Sequence, residues 1–131
     1  MNKKIGNDFE QELCEKLSEH GFWAHNLSMN KSGQPADIIA VKNKRPYLID
    51  AKVCSNGTFP LSRVEENQHL AMDLWNECGN GQGWFALQLD TKVYMLSHHL
   101  IMAYKEKQSS LSAKEILELS TPLEKWVTKC Q

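Results

Sequence analysis

Long apolar runs are missing from this 131-residue chain. No stretch of about eighteen apolar residues occurs, which argues against a membrane-spanning helix. No signal peptide is recognisable either, so a soluble, cytoplasmic protein with no membrane role is expected. The cysteines, Cys14, Cys54, Cys78 and Cys130, lack paired spacing. They read as free thiols of a reducing compartment rather than a disulfide framework. The histidines, at 20, 25, 69, 98 and 99, show no zinc-ligand pattern, and His98-His99 reads simply as a strand-to-helix junction. Internal repeats and low-complexity segments are absent. The glycines of residues 79 to 83 suggest a flexible loop and no phosphate cradle, because no helix follows them. Positive charge is also not in excess. The formal net charge is −1 and the pI is near 6.5, without the basic balance of a chain that binds polyanions by overall charge. What is present is 41% hydrophobic content, enough core for one domain spanning residues 1–131.

The most informative stretch runs from Pro35 to Val53. Ile38-Ile39-Ala40-Val41 and Tyr47-Leu48-Ile49 flank a polar break holding Asn43, Lys44 and Pro46, the pattern of a β-hairpin. Strand residues alternate between faces, so Asp37, Ile39 and Val41 share one side, as do Leu48, Asp50 and Lys52. Folding about residues 43 to 45 sets Asp37 roughly opposite Asp50 to Lys52. Two carboxylates and an ammonium group are thereby predicted at one end of a small sheet.

Aspartate is depleted in strands, and a buried charge is costly unless it is paired or metal-bound. A divalent cation would resolve that cost. Mg²⁺, with Mn²⁺ as the alternative ion, takes hard oxygen ligands from one or two carboxylates plus waters and phosphate. Asp37 and Asp50 would supply carboxylates and Ala51 its backbone carbonyl, while Lys52 would hold the attacking water and offset charge in the transition state. The plainer alternative is a same-face Asp50–Lys52 ion pair on a solvated strand, with Asp37 capping a turn.

Helices are legible around this hairpin. Ile5, Phe9, Leu13 and Leu17 recur at four-residue spacing, predicting an amphipathic helix over 4–20 that ends near Gly21. Glu10 falls on its apolar side, against the core edge, or else is a glutamate in the first turn favoured by the helix dipole. A second helix is predicted over 62–78, with Leu70, Ala71, Leu74, Trp75 and Cys78 facing inward, and Gln68 inward as well. Residues 83–89 and 92–96 read as strands about an Asp90-Thr91 turn, and the tail from Ser112 as two short packing helices.

Pro35-Ala36-Asp37 followed by Asp50-Ala51-Lys52 resembles the signature of the PD-(D/E)XK nucleases. Gly6-Asn7-Asp8-Phe9-Glu10 resembles the opening motif of the archaeal Hjc-type resolvases, whose glutamate contributes to metal binding. Gly57-Thr58-Phe59-Pro60-Leu61-Ser62 and Gln68 resemble the RecU-type bacterial Holliday junction resolvases. The resemblance spans about residues 6 to 100. It implies a restriction-endonuclease-like α/β core with a mixed central sheet flanked by helices, Mg²⁺ dependence, a homodimer, and symmetric nicking of four-way DNA junctions. In site terms it implies metal binding by Glu10, Asp37 and Asp50, and Gln68 orienting the water or Lys52. Two departures stand out: the 28–34 loop is shorter than the RecU insert that probes the junction, and Asp50 stands where archaeal members usually have glutamate.

Lys31, Lys42, Lys44, Arg45 and Arg63 are expected near the site as local phosphate contacts, with Ser32 in the same polar loop, offsetting the acidic balance elsewhere. Two rival functions remain open in the sequence. One is a restriction- or repair-type nuclease of the same fold that acts on duplex or flap DNA. The other is a non-catalytic module that holds DNA or a protein partner.

Overall fold

The computed structural model describes residues 3–27 and 36–130. Helix α1 (Lys3–Glu19) leads into strand β1 (Trp23–Asn26) through Gly21, whose φ of 88° is a left-handed conformation suited to glycine. Strands β2 (Ile38–Lys42) and β3 (Arg45–Val53) form the expected hairpin. Its two-residue turn places both Asn43 (φ 53°) and Lys44 (φ 67°) at positive φ, as a type I′ turn requires. Pro46 belongs to β3 rather than to the break, opposite Val41. It is tolerated there because β5 joins β3 only from Ile49 onward, leaving that end of β3 an edge.

After β3 come β4 (Phe59–Pro60), a 3₁₀ turn (Leu61–Arg63) and α2 (Glu66–Trp75). The helix expected over 62–78 is thus interrupted. Val64 is extended, and the Glu65 side chain and Gln68 form a capping box that starts α2 afresh. The inward stripe also differs from expectation. Met72 is fully buried, whereas Leu70 and Leu74 are 55% and 61% exposed and Cys78 is exposed. The reason is helical phase: Gln68, Met72 and Trp75 share the face turned to the sheet. A π-helical turn over Asn76–Asn80 follows, running past the predicted helix end at 78 into the expected 79–83 loop. Gly83 beyond it is required by packing, since a Cβ there would lie 2.5 Å from Met72 Sδ.

Strands β5 (Trp84–Leu89) and β6 (Lys92–Ser97) match the sequence reading. They are followed by α3 (His98–Lys105), β7 (Ser110–Leu111), α4 (Ala113–Leu119), β8 (Thr121–Pro122) and α5 (Leu123–Lys129). The main sheet has the order β1-β2-β3-β5-β6-β8, with β3 and β5 parallel and the other neighbours antiparallel. It is the mixed, helix-flanked sheet expected from the sequence. No helix among the described residues is long and apolar enough to cross a membrane.

Both faces of the sheet are covered. Ile38, Ala40, Ile49, Ala86 and Met95 pack against Phe9, Leu13 and Leu17 of α1 and Leu123, Trp126 and Val127 of α5. Leu48, Phe85, Leu87 and Leu96 pack on the opposite face against Leu61, Met72, Ile101 and Ile116. Trp126 is the pivot of the first layer, stacked on Phe22 at 5.8 Å and edge-on to Tyr47 at 5.1 Å and Trp84 at 5.6 Å. Trp126→Ala should therefore cost about 3–5 kcal/mol, measurable by urea unfolding.

All four cysteines are free, and only Cys78 is exposed. Burial, then the Glu10 and Glu15 charges, push the Cys14 thiol up to about 11, and burial pushes Cys54 up to about 11. Since the thiolate is the nucleophile, a disulfide reagent at neutral pH should modify one thiol quickly in the folded protein and four after denaturation.

Candidate active site

The register carries Asp37 to the position opposite Asp50, because Ile38 pairs with Ile49. Its backbone N–H donates to the Ile49 carbonyl at 3.2 Å. Its Oδ2 accepts from the Ala51 N–H at 2.8 Å, a contact the sequence does not announce, and one that ties the two halves of the motif together. Asp50 is 1% exposed, which removes the solvated-strand alternative. Lys52, two residues on and therefore on the same face, places Nζ 3.2 Å from Asp50 Oδ2.

Gln68 completes the cluster from α2. Its Nε2 donates to Asp50 Oδ1 at 3.2 Å, and its Oε1 accepts from Lys52 Nζ at 3.3 Å and from the Glu65 N–H at 3.1 Å. One side chain thus orients the carboxylate, positions the ammonium group and starts its own helix. Gln68→Ala should lower the cleavage rate by about 10–100-fold, the range for residues that orient a metal ligand. It should also destabilise the fold by about 1 kcal/mol through the lost cap. Single-turnover kinetics and thermal unfolding would measure the two effects separately.

Burial, then the neighbouring Asp37 carboxylate, push the Asp50 carboxyl well above the usual carboxylate range, with Lys52 pulling the other way. Asp50 Oδ2 is shielded from water and has no aligned hydrogen-bond donor, despite its ionic contact with Lys52. Two repelling carboxylates, one with an unsatisfied buried oxygen, fit a hard divalent cation.

The other expected site residues fall in different places. Glu10 is buried at 8% exposure, as its helical phase requires, but on α1, whose apolar face packs on the opposite side of the sheet from α2. Glu10, Asp37 and Asp50 do not form a group, among the described residues, whose ligand oxygens all lie within 4.8 Å of one another. Arg63 is beside the site: its guanidinium donates to the Val53 carbonyl at 2.7 Å and lies over the Phe59 ring. With Val53, Ser55, Asn56, Thr58 and Pro60 it lines an open cleft next to the end of β3. Lys42, Lys44 and Arg45, expected near the site, are instead at the hairpin turn. Arg45 is five residues before Asp50 along β3, about 16 Å at strand spacing. Lys42 is engaged over the Phe22 ring, with Nζ 5.2 Å from its centroid. Pro35, Lys31 and Ser32 lie outside the described residues.

A separate group is hidden in the sequence. His69, Asp73 and His98 bring one ligand atom each to within 4.8 Å of one another and could coordinate a divalent metal. The histidines show no zinc-ligand spacing along the chain, yet the fold brings two of them together with Asp73. The sequence signal is weak, because His98 is 29 residues beyond His69 and only the docking of α3 beside α2 unites them.

Comparison with known proteins accords with this geometry. No match is found among the curated proteins. Among solved structures, the chain is similar to that of Archaeoglobus fulgidus Hjc, a Holliday junction resolvase from an archaeal hyperthermophile. The TM-score is 0.73 at 17% sequence identity, covering 93% of this chain and 99% of that one, a likeness of fold. The model of the family described as archaeal Holliday junction resolvase (Hjc) matches residues 1–131. With an α/β sheet that sets Asp37 beside Asp50 and Lys52, and a family match along its whole length, the chain belongs to the archaeal Holliday junction resolvase (Hjc) family.

Proposed function

We propose that this resolvase-family member acts as a homodimer that hydrolyses one phosphodiester in each of two symmetric strands of a four-way DNA junction. The observation that carries the reading is the buried Asp50, flanked by Asp37 and bonded to both Lys52 and Gln68. Asp37, Asp50 and the Ala51 carbonyl would hold Mg²⁺ or Mn²⁺. When bound, such an ion neutralises charge at the scissile phosphate and lowers the pKa of a water.

The protein's own groups do the rest. Asp37 is held in place by the Ala51 N–H, so its carboxylate is set beside Asp50 without reorganisation. Lys52 Nζ, anchored by Gln68 and Asp50, donates to the attacking oxygen and to the phosphate oxygen on which charge grows. Arg63 and the cleft beside it receive the DNA backbone, a local cationic contact that suits a chain of net charge −1. Two-fold symmetry would present two such sites to one junction and allow paired nicks.

A labelled four-way junction and a linear duplex of the same sequence, incubated at low salt with and without Mg²⁺, test the proposal. Paired symmetric nicks in the junction alone, only with the metal, are expected. Equal cutting of the duplex would assign a general nuclease instead. Binding without cutting would assign a non-catalytic module.

A further inference from the structure

His69 and Asp73 stand four residues apart on α2, and so on one side of it, with His69 Nε2 3.4 Å from Asp73 Oδ2. His98, the first residue of α3, faces them. Its Nε2 is 2.9 Å from His69 Nδ1, and its Nδ1 is 4.0 Å from Asp73 Oδ1. Two neutral imidazoles that meet nitrogen to nitrogen have only one proton to share. A cation between them would satisfy both lone pairs. His98 is 2% exposed and stacked near Phe85, with ring centroids 6.4 Å apart, so its ring is held in place beside His69. Asp73 is half-exposed at 47%, which leaves an opening for a water as a further ligand.

We propose that His69, Asp73 and His98 form a second metal site, distinct from the carboxylate site at Asp37 and Asp50, that takes Zn²⁺ or a similar transition ion and clips α2 to α3. The ligand set decides the ion. Imidazole nitrogens suit Zn²⁺, Co²⁺ and Ni²⁺, whereas Mg²⁺ prefers oxygen and binds through carboxylates and waters. In a tetrahedral site with bonds of about 2.0–2.1 Å, ligand atoms stand about 3.3 Å apart, and here one ligand atom from each residue already lies within 4.8 Å of the other two, so side-chain rotations would close the set around an ion. Gln68 immediately precedes His69 on α2 and bonds Asp50. An ion on the α3 side of the helix would therefore also restrain the residue that orients the nuclease carboxylate. The site itself does not depend on the nuclease reading.

Full-length protein stripped with a chelator would be titrated with ZnCl₂ by calorimetry, and with Co²⁺ by visible absorption, which reports tetrahedral nitrogen and oxygen ligation. The parent and Asp50→Asn should each bind Zn²⁺ at the His69 site and show a higher unfolding midpoint with it. The H69Q/D73A double variant alters two partly exposed side chains and leaves the buried His98 in place. It should lose Zn²⁺ affinity by more than about 100-fold and lose the midpoint shift, while keeping a native circular dichroism spectrum. Undiminished Zn²⁺ affinity and Co²⁺ spectra in that variant would overturn the proposal, assigning the binding to other groups such as the exposed Cys78. Absence of Zn²⁺ binding in the parent would overturn it equally, leaving a hydrogen-bonded cluster.

Discussion

Asp50→Asn is expected to reduce junction cleavage by at least about 10²–10³-fold and, in metal-free protein at neutral pH, to raise the thermal midpoint by several degrees. The two effects have one cause. Burial and the Asp37 charge raise the Asp50 carboxyl pKa above its unfolded value, so the folded chain holds that proton more tightly than the unfolded chain does. The contribution of this group to stability is complete below the unfolded pKa, about 4, and is lost as pH rises through the folded value. At neutral pH the metal-free fold therefore carries the cost either of burying the charge or of taking up a proton that the unfolded chain does not hold, and the neutral amide removes both. The single amide oxygen keeps an acceptor for one of the two donors, Gln68 Nε2 at Oδ1 or Lys52 Nζ at Oδ2. Unfolding followed in chelator and in Mg²⁺ would check this: the ion should raise the parent midpoint far more than that of the variant. A lower midpoint for Asp50→Asn in chelator would instead make the carboxylate a stabilising partner of Lys52.

Lys52→Ala should lower cleavage by a comparable about 10²–10³-fold but shift stability in the opposite direction. Lys52 is the cation beside Asp50 Oδ2, and its side chain is 12% exposed. Removing one member of a buried pair commonly costs about 3–5 kcal/mol. The loss here should be smaller, because Asp50 can take up a proton. Under the proposed role of Lys52 at the reacting oxygens, cleavage would fall at every Mg²⁺ concentration. Lys52→Arg should not restore it, because a planar guanidinium cannot occupy the place of a compact ammonium between Asp50 and Gln68. Recovery of cleavage by raising Mg²⁺ would show that Lys52 acts through metal affinity instead. A double-mutant cycle of Asp50→Asn with Lys52→Ala would measure the coupling directly.

Local chemistry makes the nuclease hairpin readable from the amino-acid sequence alone. The period-2 alternation of Asp37 to Val41 and Leu48 to Lys52, with a polar break between, dictates which side chains share a face. The pairing register then follows from the turn. The helical phase of α1 likewise directs Glu10 inward, and that of α2 turns Gln68 to the sheet. Pattern does not place Leu70, Leu74 and Cys78. Apolar residues outnumber the positions that α2 can bury on a single face, and only docking on the sheet selects Met72 over them. The basic residues show the same division. Lys42, Lys44 and Arg45 are near Asp50 in sequence, but an extended strand separates them from it, whereas Arg63, thirteen residues beyond Asp50, folds back to Val53. Register and face are short-range properties, set by backbone geometry over a few residues. The burial of Asp50, the bonds of Gln68 to it and to Lys52, and the meeting of His69 with His98 depend on how helices pack across a sheet, where the partners are far apart along the chain.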